Sequence, residues 1–313
     1  MGERRTYRDP RGVIHSAIRS LQSAIRAAAD PVLSVLLAPS CAACGRLLEH
    51  PTWGPVCEPC WRSILPLTPP VCDRCGDPLP TWRAISIPLA RCPRCRRGRR
   101  QVDRARAVGG YDGALRAIVH ALKYEGRRSL AQPLAELMRI RGADVLAGAD
   151  WAVPVPLHPS RRRERGFNQA ADLARHLGIP TLDALCRTRA TATQTGLPAA
   201  SRHRNVRGAF AIALAWQRSA CGHVPPTARE AVGDASASVR AGGGVPNAAA
   251  ALGCRRGAPA PVQKSGLEGS VVVLVDDVST TGATLDACAR VLKEAGVREV
   301  RALTAARVVT PPR

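Results

Sequence analysis

Two adjacent carboxylates, Asp276 and Asp277, follow the apolar run Val271–Val275, and after them come Ser279, Thr280, Thr281, Gly282, Ala283 and Thr284. Neighbouring carboxylates can accept hydrogen bonds from two adjacent sugar hydroxyls. Threonine hydroxyls and loop amides can donate to a phosphate, and a helix beginning near Leu285 would add the partial positive charge of its N-terminus. The chemistry suited to this order is the binding of a sugar that carries a phosphate.

Eight of the twelve cysteines form four Cys-x2-Cys pairs: Cys41/Cys44, Cys57/Cys60, Cys72/Cys75 and Cys92/Cys95. A pair at this spacing binds one metal through a tight knuckle, and two knuckles complete a tetrahedral thiolate site. Gly45 and Gly76 follow the first and third pairs, where glycine relieves the backbone of the knuckle turn. The segment reads as an internal duplication, two zinc ribbons in tandem, holding two structural Zn2+ ions. Sequential pairing of the cysteines is favoured over interleaved pairing, which stays open. The alternative, a disulfide framework, needs an oxidising compartment. The short run Val32–Ala38 after an arginine-rich start does not read as an export signal, so a cytoplasmic location is expected.

These residues must be positioned by a scaffold, and from about residue 107 the pattern is α/β. Helices are expected over Ala114–Tyr124, Ser129–Arg141, Phe167–Leu177 and Leu285–Glu294. Strands are expected over Trp151–Pro156, Thr181–Arg187, Gly208–Leu214, Val271–Val275 and Glu299–Arg307. Alternation of this kind implies a mostly parallel sheet with ligands at the carboxyl ends of its strands. Three parts follow: an N-terminal helical segment (1–38), a double zinc ribbon (39–106) and an α/β domain (107–313). Residues 217–268 interrupt the last; Ala, Gly and Pro make up 25 of these 52 positions, and the stretch reads as a disordered insertion. Ile14, Ile18, Leu21 and Ile25 fall on one face of an amphipathic helix over 13–28. No run of about 20 apolar residues exists, so no membrane insertion is expected.

The formal net charge is +22, and only Lys123, Lys264 and Lys293 among the 46 basic residues are lysines. Such an excess predicts affinity for polyanions without defining a site. Arg91, Arg94, Arg96, Arg97, Arg99, Arg100, Arg104 and Arg106 crowd the end of the ribbon segment, either as a solvated face or as a nucleic-acid contact surface. Three segments could converge on the acidic pair. One is an arginine-dense loop after a strand, Arg161, Arg162, Arg163 and Arg165, suited to a pyrophosphate. The second is a basic flap between residues 187 and 210 with Arg202 and Arg204. The third is Lys123 at a helix end, a candidate phosphate ligand.

Taken in order, Tyr111-Asp112-Gly113, Leu122-Lys123-Tyr124, Val153-Pro154-Val155-Pro156, Arg165-Gly166-Phe167-Asn168-Gln169, Thr193-Gln194, Arg204-Asn205-Val206 and Val275–Thr284, behind a double zinc ribbon, resemble the ComF family of bacterial competence-type proteins. The resemblance spans nearly the whole chain apart from 217–268 and the first 30 residues. It implies a type I phosphoribosyltransferase-like fold with a pocket for phosphoribosyl pyrophosphate (PRPP). Asp276 and Asp277 would then bind the ribose 2′ and 3′ hydroxyls, with Mg2+ accompanying PRPP, and Ser279–Thr284 would wrap the 5-phosphate. The arginines would hold the departing pyrophosphate. Two classes of function stay open: a phosphoribosyltransferase acting on PRPP, or a DNA-uptake module binding single-stranded DNA or a helicase-like partner, its pocket a sensor or relic.

Overall fold

A computed structural model describes residues 25, 28–79, 91–98, 100–189, 205–213 and 266–309. The flap residues Arg202 and Arg204, most of the 13–28 helix and all but the end of the 217–268 insertion lie outside them.

In chain order the helices are α1 (28–37), α2 (Glu58–Arg62), α3 (Pro93–Arg97), α4 (Gly113–Tyr124), α5 (Ala131–Arg141), α6 (Ala143–Leu146), α7 (Pro159–Arg165), α8 (Gln169–Ala174) and α9 (Ala283–Glu294). The strands are β1 (Arg104–Gly110), β2 (Trp151–Pro154), β3 (Leu185–Arg187), β4 (Phe210–Ile212), β5 (Val271–Ser279) and β6 (Glu299–Arg307). The elements fall into two compact units. One holds the described residues up to Leu65 with Asp112–Leu130; the other holds Pro66–Tyr111 and the described residues from Ala131 onward.

The larger unit is built on a four-stranded sheet in the order β1-β6-β5-β2, parallel throughout. β5 is interior, and Val271–Val275 are all buried, as a parallel strand covered on both faces requires. Val272, Leu274, Val300 and Ala302 pack with Leu285, Cys288, Ala289 and Leu292 of α9. The intervening residues, such as Val273 and Leu303, turn to the opposite face because strand side chains alternate. Leu134 and Met138 of α5 and Leu173 of α8 are fully buried. A separate antiparallel pair, β3-β4, brackets the flap segment.

Three local expectations change. The basic run from Arg91 to Arg106 is not one charged face: its last part is β1, an edge strand in which Arg106 pairs with Asp144 at 2.9 Å. Strand alternation sends Ala105 into the core and its neighbours Arg104 and Arg106 to the other face, where Arg104 is exposed. The arginine-dense segment expected as a loop is the helix α7, started by Pro159 and by His158, whose ring accepts from the Ser160 amide. Finally, β5 continues past Val275 to Ser279, so the acidic pair lies within the strand, and α9 starts at Ala283 rather than near Leu285.

In the smaller unit, α4 buries Leu115, Ile118, Val119 and Leu122 on one face. Asp30 of α1 is buried and accepts from the Thr52 amide at 2.9 Å and faces His50 Nδ1 at 3.2 Å, which ties α1 to the first ribbon.

Candidate sugar-phosphate site and metal centres

The two ribbons repeat each other bond for bond. The Cys41 amide donates to Arg46 O at 2.7 Å and the Gly45 amide to Cys41 O at 2.9 Å; the Cys72 amide donates to Asp77 O at 2.7 Å and the Gly76 amide to Cys72 O at 2.8 Å. Gly45 and Gly76 are left-handed, with φ of 74° and 72°, which closes each knuckle. Cys57 and Cys92 each stand at the N-cap of a short helix with Pro in its first turn.

The sulfurs gather sequentially, Cys41, Cys44, Cys57 and Cys60 in one cluster and Cys72, Cys75, Cys92 and Cys95 in the other, each set within 4.8 Å. Sequential pairing is therefore the arrangement the fold adopts. Cys44 and Cys57 Sγ lie 3.8 Å apart, and Cys75 and Cys92 Sγ 3.6 Å apart. A tetrahedral site with Zn–S bonds of about 2.3 Å spaces its sulfurs about 3.8 Å apart. Backbone amides point at the sulfurs as well: Cys57 N to Cys41 Sγ and Cys92 N to Cys72 Sγ, both 3.3 Å. Such bonds favour thiolates, and hydrogen bonds from the Arg46 backbone and side chain draw the Cys44 thiol down to about 6. Both tetrads fit structural zinc. They differ in exposure: the second is wholly buried, whereas Cys44 is exposed.

At the carboxyl end of β5 the two carboxylates face different surroundings. Asp277 is buried, and its Oδ2 accepts from Gln169 Nε2 at 2.8 Å. Asp276 is half-buried and its Oδ1 receives the Asp277 amide at 2.9 Å. Beyond them Ser279 and Thr281 are buried, Thr281 Oγ1 accepts from the Ala283 amide at 3.4 Å, and Gly282 takes φ of 79° to turn the chain into α9. The hydroxyl-rich loop is thus only Thr280–Gly282, and the first turn of a twelve-residue helix supplies the remaining amides.

The arginines of α7 divide by helical spacing. Arg161 and Arg165 share a face and are half-buried; Arg162 and Arg163 are exposed. His158 is held below its ordinary range by burial first, then by the charges of Arg187, Arg163 and Arg161. Arg187 is buried, with its guanidinium over the Phe210 ring at 5.3 Å. Burial and then Arg161 lower its proton affinity, and the Asp276 carboxylate works against them. Asp276, Arg161, His158 and Arg187 therefore share one field at the carboxyl edge of the sheet, and a basic residue paired electrostatically with Asp276 suits an anionic sugar.

Two of these roles went unread in the sequence. Arg187 looks like the first residue of a basic flap, and only the β3-β4 pairing shows it anchored and buried. Gln169 looks like a helix-start residue beside Asn168. Asn168 does that work, accepting from the Ala170 amide at 3.1 Å, while Gln169 reaches Asp277. Lys123 lies half-buried on α4, in the other unit.

A parallel sheet of this kind, in a chain with two cysteine tetrads, defines a zinc-ribbon protein of the phosphoribosyltransferase fold class. The chain matches the double zinc ribbon domain over residues 32–96 and the phosphoribosyl transferase domain over residues 163–310. It is 26% identical over 256 residues to Competence protein F of Haemophilus influenzae, covering 79% of this chain and 87% of the relative. It is 33% identical over 187 residues to DNA utilization protein YhgH of Salmonella typhimurium, covering 56% of this chain and 79% of the relative, and equally so to that of Escherichia coli K12. The chain belongs to the ComF family. No helix among the described residues is long and apolar enough to cross a membrane.

Proposed function

We propose that this protein binds PRPP at the carboxyl end of β5 and works in DNA utilization, as the names of its relatives suggest. The observation that carries this reading is the junction at Gly282: a buried strand bearing the half-buried Asp276 turns in three residues into the amides of α9. Asp276 would accept from the ribose hydroxyls, and the amides of Thr280–Thr284 with the hydroxyls of Thr280, Thr281 and Thr284 would take the 5-phosphate. Arg161, Arg165 and Arg187 would face the pyrophosphate, with Arg202 and Arg204 contributing from the flap. Mg2+, when bound with PRPP, would be held by the Asp276 carboxylate and ligand oxygens and would neutralise pyrophosphate charge. His158, kept neutral, adds no competing charge and can accept a proton.

Calorimetric titration of PRPP with Mg2+ into the wild type and Asp276→Asn tests the reading. Binding to the wild type, weakened at least tenfold in the variant, is expected; no binding to the wild type overturns it.

A second reading, that PRPP is sensed rather than consumed, is favoured by the state of Asp277. Its burial against Gln169 leaves Asp276 as the more accessible acid of the pair. Phosphorus NMR of PRPP mixed with the protein and single-stranded DNA separates the two. Release of pyrophosphate supports transfer, whereas intact PRPP together with a changed DNA affinity supports sensing.

A further inference from the structure

We propose that the second zinc ribbon positions the phosphate loop, and that Arg100 and Arg74 are its positioning residues; this rests on the reading of Thr280–Thr284 as the 5-phosphate cradle.

Arg100 is the direct clamp. Its side chain is 10% exposed, and one nitrogen, Nη1, donates both to Thr281 O at 2.8 Å and to Asp286 Oδ2 at 2.6 Å. It thereby ties the last residues of the loop to the first turn of α9. The other oxygen of Asp286 accepts the Gln101 amide at 3.0 Å and the Val102 amide at 3.3 Å. The segment 100–102 thus fixes the helix start with three donors. Its approach is close: a Cβ on Gly282 would lie 2.9 Å from Arg100 Nη1.

This segment is in turn held from inside a metal knuckle. Arg74, between Cys72 and Cys75, donates through Nε to Val102 O at 3.2 Å and through Nη2 to Arg100 O at 2.9 Å. The Arg74 carbonyl accepts the Ala105 amide at 2.8 Å. The strand end of the loop has its own tether. Ser279 pairs in register with Arg307, whose side chain is 4% exposed and bonded to Asp77, just past Cys75. Asp77 also takes Arg94, between Cys92 and Cys95, at 2.6 Å. Both ends of the cradle are therefore linked, one through Arg100 and the other through Arg307, to residues lying between or beside zinc ligands.

The buried cluster of this ribbon consists of its four cysteines and Leu79. So small an apolar cluster cannot hold two knuckles in register, and in domains of this kind the metal supplies the folding free energy. The positions of Arg74 and Asp77, and through them of the loop, follow from the metal cluster. Backbone amides bind phosphate well only when already aligned, since ordering them on binding subtracts from affinity.

The test uses the zinc-loaded full chain and ribose 5-phosphate as the probe. Arg100→Ala and Arg74→Ala change no metal ligand, so zinc should stay at two ions per chain. Affinity should fall at least tenfold in Arg100→Ala and less in Arg74→Ala, with partial recovery in Arg100→Lys. Amide exchange without ligand should quicken at residues 280–286 and stay unchanged in β2. Unchanged exchange at 280–286 in both alanine variants overturns the proposal whatever the probe does. Exchange that quickens while the wild type fails to bind the probe leaves the positioning intact and overturns the PRPP reading instead. Should Arg100→Ala not fold, Asp286→Asn weakens the same clamp and is read in the same way.

Discussion

At the scale of residues, the site turns on neighbouring side chains with opposite fates. Asp276 and Asp277 are adjacent in a strand, so their side chains leave on opposite faces. One faces the field of Arg187 and the other is enclosed with Gln169. Gln169→Leu should therefore act on stability before affinity. Removing a hydrogen bond to a buried carboxylate costs about 1.5–3 kcal/mol, read as a lower denaturant midpoint at unchanged slope. His158 carries a pH signature. Its folded pKa is below the unfolded value, so the unfolded state binds the proton more tightly, and stability is full at neutral pH and declines as pH falls through the unfolded value of about 6.5 toward the folded one. His158→Gln should flatten that decline in denaturant titrations between pH 7 and 5. An anionic ligand set among the same arginines would raise the His158 pKa, so PRPP binding at pH 6 should take up protons in the wild type and fewer in the variant. Calorimetry in buffers of different ionisation enthalpy measures this.

At the scale of elements, the two ribbons have one architecture and different settings. The first is exposed at Cys44, whereas all four ligands of the second are buried and lie in the unit that holds the Thr280–Gly282 loop. A chelator should therefore withdraw zinc in two phases, the first tetrad emptying sooner, as followed by a colorimetric zinc indicator. Cys41→Ser should release one zinc and disorder the first ribbon while amide protection in β5 and β6 persists. Loss of protection throughout the sheet would contradict that independence. The α9 helix was legible from sequence to within two residues of its start, because apolar spacing is local. The α7 helix was not, because proline and arginine density read as loop until Pro159 is seen at a helix start.

At the scale of the whole molecule, charge dominates. Each four-cysteine zinc site carries two net negative charges, so two sites bring the formal +22 to about +18. Arg96, Arg97, Arg162 and Arg163 are exposed, while Arg94, Arg100 and Arg307 are bound to carboxylates within their own unit. Not every arginine that sequence counting assigns to a polyanion surface is available for one. Single-stranded DNA should bind with an affinity that falls steeply with salt, the logarithmic slope being about −0.7 per phosphate contacted. Removing Arg96 and Arg97 together should reduce that slope by about one to two contacts, measured by fluorescence anisotropy across salt concentrations. A flat salt response in the wild type would rule out phosphate contacts.

That a buried strand leads through two acids into a short hydroxyl-rich loop and a helix was readable from residue order alone, and so were the four knuckles. Each is a local pattern: adjacent carboxylates before small hydroxyl residues, cysteines at knuckle spacing, five consecutive aliphatics. What awaited the tertiary structure is which distant residues meet. Arg100 reaching Thr281 and Asp286, Arg307 reaching Asp77, Gln169 reaching Asp277 and Arg187 lying over Phe210 all join segments that no periodicity relates. Their encounters are set by the sheet order β1-β6-β5-β2 and by the turn of the second ribbon onto it. A side chain's spacing along the chain tells which face it takes; only packing tells what that face meets.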